Sequence, residues 1–278
     1  MLKRLKQYLY NFWCHKDRIC SVQDNVVALK PFYYSLEMLC INKGYPYNRI
    51  LHRTLLWDDC EPKSQMHHIC SVRRNTPDIY HVMWNKKNIE ALVRQTGMDF
   101  YFKYPRKIQQ ADIARYIVMK HYGGIYFDFD ISMNSTLDTL LIETGLLVSG
   151  RLPESYCILF EEHRWKNVEE AVGEKDQSIR FFLEPKYRTE ALVRVANYAM
   201  LCSPEHPFME KVIEECQKRA SLEIKCDYDV LFTTGPDVVS HVYHLTDEYF
   251  RKANNIVLVP QERHKVFIVH HCSGVWRN

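Results

Sequence analysis

No run of apolar residues in this 278-residue chain approaches the ~18 needed for a helix to cross a bilayer. The first residues, MLKRLKQYLYNFWC, are basic, but their apolar stretch is broken and too short for a signal peptide. Any large charge excess is also absent: a net charge of +3 does not by itself call for a nucleic-acid partner. There is no internal repeat, no low-complexity tract and no obvious linker. None of the ten cysteines pairs as C-x-x-C, and a chain of this length without a secretion signal reads as one that keeps its thiols reduced. Cys60, His67, His68 and Cys70 are zinc-ligand residue types, at a spacing that fits no common zinc site. These absences leave a chain expected in the cytoplasm or peripheral to a membrane. With 46% hydrophobic and 26% charged residues, it has what a full core needs.

What is present falls into two parts. Leu2, Leu5, Leu9 and Phe12 form one helical stripe beside Lys3, Arg4 and Lys6. Such a face either packs on the chain's own core or lies on a membrane surface through residues 1–13. Residues 1–61 read as a helical N-terminal extension packed on the core, and 62–278 as the main domain. Strands are expected at 67–72, 78–84, 100–104, 125–129, 256–259 and 266–270, and helices at 88–95, 107–122, 188–201, 205–219 and 236–249. Strands alternating with helices predict an α/β fold with a mainly parallel central sheet flanked by helices.

The stretch HYGGIYFDFD, residues 121–130, carries the chemistry. In the helix before it, Asp112 and Arg115 are three apart and share a face with Ile108 and Met119. A polar pair in an apolar stripe needs a partner or a ligand. Gly123 and Gly124 end the helix and let the chain turn sharply. Along a strand, Asp128 and Asp130 point the same way, and two carboxylates on one face repel unless a cation lies between them. Hard oxygen ligands favour Mn²⁺ or Mg²⁺, ions that take substrate phosphates as further ligands. A second D-x-D, Asp227 and Asp229, has no glycines before it and reads as a solvated loop. Trp84 reads as core.

ADIARYIVMKHYGGIYFDFD closely resembles the signature of the DXD sugar-binding glycosyltransferases. That family includes fungal α-1,6-mannosyltransferases, α-1,4-linking enzymes and capsular polysaccharide enzymes, and clostridial toxin glucosyltransferases share a related signature. TPDIYHVMWNKKNIEAL, NYAMLCSPEHPFMEKVIEEC, TTGPDVV and HHCSGVW resemble further family segments. The resemblance implies a GT-A catalytic domain, Rossmann-like, over 62–278. It implies a metal-dependent retaining transferase that moves a sugar from a nucleotide-sugar to a glycan, lipid-linked or protein acceptor, with a UDP-sugar favoured and GDP-mannose as the other donor. It assigns the metal to Asp128, Asp130 and His271. The donor falls to Asp112, Arg115, Gly124, Tyr126, Asp128, Asn197, Ser273 and Trp276. Asp128, Asp130, Asp112 and Arg115 form the catalytic set.

Two departures from the family pattern stand out. The family's first strand usually ends in a tryptophan where MHHICS puts Cys70, and Val275 replaces a serine. They motivate one rival reading, a non-catalytic sugar- or nucleotide-binding module on a degenerate transferase fold. A second rival is a haloacid-dehalogenase-like phosphohydrolase, since YFDFD resembles a strand followed by a D-x-D nucleophile. Against it, the chain's only DD, Asp58 and Asp59, lies upstream of that strand.

Overall fold

The computed structural model describes residues 20–21, 50–56, 63–77, 79–147, 152–167, 170 and 192–272. Its strands are β1 (Cys20–Ser21), β2 (Ile50–Leu55), β3 (Tyr80–Asn85), β4 (Gly124–Phe127), β5 (Ile131–Met133), β6 (Cys157–Arg164), β7 (Val193–Cys202), β8 (Ile256–Val259) and β9 (Ile268–His270). Its α-helices are α1 (Met66–Asn75), α2 (Lys86–Thr96), α3 (Lys107–Tyr122), α4 (Leu137–Glu143), α5 (Pro207–Arg219), α6 (Asp227–Thr233), α7 (Pro236–Leu245), α8 (Glu248–Ala253) and α9 (Gln261–Phe267).

Seven strands form one sheet in the order β1-β3-β2-β4-β7-β6-β8. Four of its pairings are parallel and two, β4 with β7 and β7 with β6, are antiparallel. The α/β class with a mainly parallel central sheet is therefore the one found. Alternate residues of β4 feed two cores. Tyr126 packs with Trp84, Tyr116 and Met119 on the side of α3 and α5, while Ile125 and Phe127 pack with Leu140, Leu201 and Ile268 on the other. A strand covered on both faces reads as a continuous apolar run, which is what GIYF is. Among the described residues, no helix is long and apolar enough to cross a membrane.

Several expected elements change type. HHICSV belongs to the helix α1 and not to a strand. Where a helix was expected over 188–201, residues 193–202 form β7, all ten of them buried. VRVANYAMLC, apolar but for Arg194 and Asn197, fits a buried strand or a buried helix equally well by periodicity, and pairing with β4 and β6 decides. Residues 99–103 are a 3-10 turn instead of a strand. The helix expected over 236–249 breaks at Thr246, and α8 restarts after Asp247, whose side chain accepts from the Phe250 N–H. The helical reading of residues 1–61 fails at β2, which lies between β3 and β4 in the sheet, so the sheet begins before residue 62. Most of that N-terminal stretch, with the 1–13 stripe, lies outside the described residues.

Candidate active site

The site is built where α3 meets β4. Gly123 closes α3, its N–H bonding to the Met119 carbonyl at 2.9 Å. Its φ of +58° is in the left-handed region, and a Cβ there would sit 2.5 Å from the Pro204 nitrogen and 2.7 Å from the Cys202 oxygen. Only glycine passes this crossing. β4 then runs to Phe127, one residue short of the first aspartate. Asp128, Phe129 and Asp130 form a turn in which the Ile131 N–H bonds to the Asp128 carbonyl at 3.2 Å. The expected extended D-x-D strand is thus corrected to a turn, and strand alternation does not set where its carboxylates point.

The Arg115 guanidinium organises what lies beneath the turn. Nη2 lies 2.9 Å from Asp112 Oδ1; Nη1 donates to Asp128 Oδ2 at 3.2 Å and to the Asn197 carbonyl at 2.9 Å. Asn197 Nδ2 donates to Asp112 Oδ1 at 3.1 Å, and Thr234 Oγ1 donates to Asp112 Oδ2 at 2.9 Å. Tyr126 OH donates to Asp128 Oδ1 at 2.7 Å and shares a 3.0 Å bond with Thr54 Oγ1. Helix, β2, β4, β7 and the loop before α7 are thus tied to one carboxylate turn.

Burial opposes the Arg115 charge, but Asp128, Tyr126 and Asp112 outweigh it and raise its pKa. Burial also pushes Asp112 up to about 7, against the pull of Arg115 and the Thr234 bond. Asp128 is raised first by burial and further by Asp130, with Arg115 opposing. A divalent cation at the turn would relieve both causes, so the two carboxylates suit an oxygen-ligated Mn²⁺ or Mg²⁺. Among the described residues, no group of three or more His, Cys, Asp or Glu side chains is arranged to hold a metal ion.

The family resemblance gives Asp112 and Arg115 to the donor. Both are only 4% exposed, and both Asp112 oxygens take protein donors. In this arrangement the pair shapes the turn from below. Asn197 lies on β7, its amide turned to Asp112. Gly124, with φ +85°, opens β4, and Tyr126 is buried within it. His271 bonds to Ser132 Oγ at 2.8 Å and stacks on His68; the imidazole set against Asp130 is that of His270, at 3.4 Å. Ser273, Trp276 and Val275 lie outside the described residues. Trp84 is core, its Nε1–H donating to His52 Nδ1 at 3.1 Å. Asp229 caps α6 through the Lys225 and Cys226 N–H groups, and Asp227 pairs with Arg106, so that D-x-D begins a helix and is not a loop.

Cys70 lies inside α1 and does not end the first long strand. That strand is β2, and the tryptophan that follows it two residues on is Trp57. Cys70 therefore does not stand where the family's tryptophan would. Residues that the sequence did not single out are Thr54 and His270. The TTGP turn, Thr234 to Pro236, suggested backbone N–H groups facing substrate or capping the helix, whereas Thr234 meets the site through its side-chain hydroxyl on Asp112.

Residues 62–147 match the family described as the glycosyltransferase sugar-binding region containing DXD motif. The chain is 29% identical over 141 residues to inositol phosphoceramide mannosyltransferase 1 of Schizosaccharomyces pombe, covering 46% of this chain and 44% of that protein. It is 34% identical over 68 residues to mannosyl phosphorylinositol ceramide synthase CSH1 of Saccharomyces cerevisiae, covering 23% of this chain and 18% of that one. The chain thus spans less than half the length of these curated relatives. Among solved structures, the PaToxG glycosyltransferase superposes with a TM-score of 0.45 at 13% identity, covering 76% of this chain and 79% of that one.

Proposed function

We propose that the chain is a metal-dependent glycosyltransferase that uses the Asp128–Asp130 turn to hold the diphosphate of a nucleotide-sugar through a divalent cation. The observation that carries this reading is the buried Arg115 guanidinium. It bonds to Asp112 and Asp128 directly beneath the turn, inside the stretch that matches the DXD family. Asp128 and Asp130 would hold Mn²⁺ or Mg²⁺, and the ion would supply positive charge to the departing nucleoside diphosphate. Arg115 holds Asp128 at a fixed height, and Tyr126 fixes its second oxygen. Positioning of this kind costs no reorganisation when charge develops in the transition state. Retention of anomeric configuration follows from the family resemblance and would be read from the product's anomeric proton.

The breadth of the family that the sequence resembles favours a UDP-sugar. The names of the relatives favour mannosyl transfer, which places GDP-mannose first in the screen and makes an inositol-phosphate lipid the first acceptor to try. The test is donor hydrolysis. Purified chain meets GDP-mannose and a set of UDP-sugars with Mn²⁺, with Mg²⁺ and with EDTA, alongside Asp130→Ala. Nucleoside diphosphate release from one donor, lost with EDTA and in the variant, is expected. Release that persists in both would overturn the metal assignment. Donor binding without any turnover would favour the non-catalytic module.

A further inference from the structure

We propose that His270 is a positioning residue for the second carboxylate of the D-x-D turn: β9 presents its imidazole to Asp130 and fixes where that carboxylate points. Its purpose rests on the glycosyltransferase reading; its existence rests on contacts in the fold. Arg115 bonds to Asp112, Asp128 and the Asn197 carbonyl, and His270 stands beside Asp130, Nε2 to Oδ1 3.4 Å.

Tyr198 and Cys272 neighbour the ring, and the backbone beneath it is paired. Tyr198 stacks on it at 3.9 Å between centroids, with 25° between the planes. Cys272 Sγ lies 3.3 Å from Nδ1. β9 pairs antiparallel with β5, Ile131 opposite His270, and the His271 N–H donates to the Asp130 carbonyl at 3.0 Å. His270, at the end of β9, and His271, just after it, therefore hold the side chain and the backbone of Asp130. When Nε2 carries a proton toward Asp130, a neutral ring leaves Nδ1 as the acceptor for the Cys272 thiol. Such a partner orients a metal-holding carboxylate, and losing one typically costs about 10–100-fold in metal affinity.

The experiment measures Mn²⁺ affinity by electron paramagnetic resonance titration in the presence of GDP, then UDP, with no sugar donor. Wild type is compared with His270→Ala and with His270→Gln, whose amide nitrogen reaches about as far as Nε2. Loss of about tenfold in affinity for alanine, with most of it recovered by glutamine, is the expected result. Affinity unchanged in His270→Ala, or equally lost in both variants, overturns the proposal. If His270→Ala does not fold, His270→Asn takes its place, because its shorter side chain stops short of Asp130. A double-mutant cycle of His270→Ala with Asp130→Ala, read by urea midpoints, separates the two ideas. Non-additive midpoints in a chain that binds no Mn²⁺ sustain the His270–Asp130 contact and overturn the metal reading instead. Additive midpoints overturn the positioning role.

Discussion

Arg115 decides most at the scale of single residues. Its side chain is 5% exposed and faces two carboxylates and a carbonyl. Replacing it with methionine keeps the volume and strands Asp112 and Asp128 without their cation. A loss of about 3–5 kcal/mol in chemical denaturation is expected, the usual consequence of breaking a buried ion pair from one side. Thr234 offers a finer probe. Thr234→Val keeps the shape but removes the donor to Asp112 Oδ2, and should cost about 1–3 kcal/mol. Thr234→Ser keeps the hydroxyl and should stay close to wild type in the same unfolding measurement. The sequence showed Asp112 and Arg115 as a pair on one helix face; it could not show that the Thr234 hydroxyl, 122 residues away in the chain, bonds to Asp112.

Among the elements, the joint between α3 and β4 governs the site. Gly123 lets the helix end against the backbone of Cys202 and Pro204, so the turn leaves β4 at a fixed place. Gly123→Ala adds a Cβ to a left-handed position with backbone on the other side. A loss of more than about 1 kcal/mol is expected, together with lower donor-hydrolysis activity as the turn shifts. A thermal midpoint equal to wild type would show that the crossing has room to spare. This joint was legible because paired glycines after a strong helix have a local cause. β7 was not legible, because all ten of its residues are buried, and Arg194 and Asn197, three apart, mark no strand period. α1 misled for a related reason: HHICSV mixes β-branched and polar residues in a strand-like order, yet its own backbone bonds make it a helix.

Across the whole molecule, buried histidines oppose folding as pH falls. His52 accepts from Trp84 Nε1 through Nδ1 and faces the Gly123 carbonyl through Nε2, at 3.0 Å. Burial lowers its pKa to about 3. Burial likewise lowers His264 to about 4 and holds His81 well below the ordinary value. In each case the unfolded chain takes up its proton first as pH falls. The stabilisation is complete above about pH 6.5 and is lost as pH drops through 4 toward 3. Each such group contributes up to about 1.4 kcal/mol per pH unit in that window. His52→Gln should therefore flatten the fall in stability between pH 6 and 4 by about one proton's worth, measured as urea midpoints across pH. An unchanged slope would mean that His52 titrates in the folded chain.

The sequence by itself determined the local features: the helix over 107–122, the glycine joint, the Asp112–Arg115 pair and the two aspartates after an apolar strand. Each of these follows from neighbours within a turn or two, where propensity, capping and side-chain period act directly. Tertiary structure alone decided which strands flank β4, that the D-x-D is a turn, and that Thr234 and His270 reach the carboxylates. Those outcomes depend on strand pairing and on packing between segments up to 140 residues apart, Asp130 and His270 among them, and no local pattern encodes the register that brings them together.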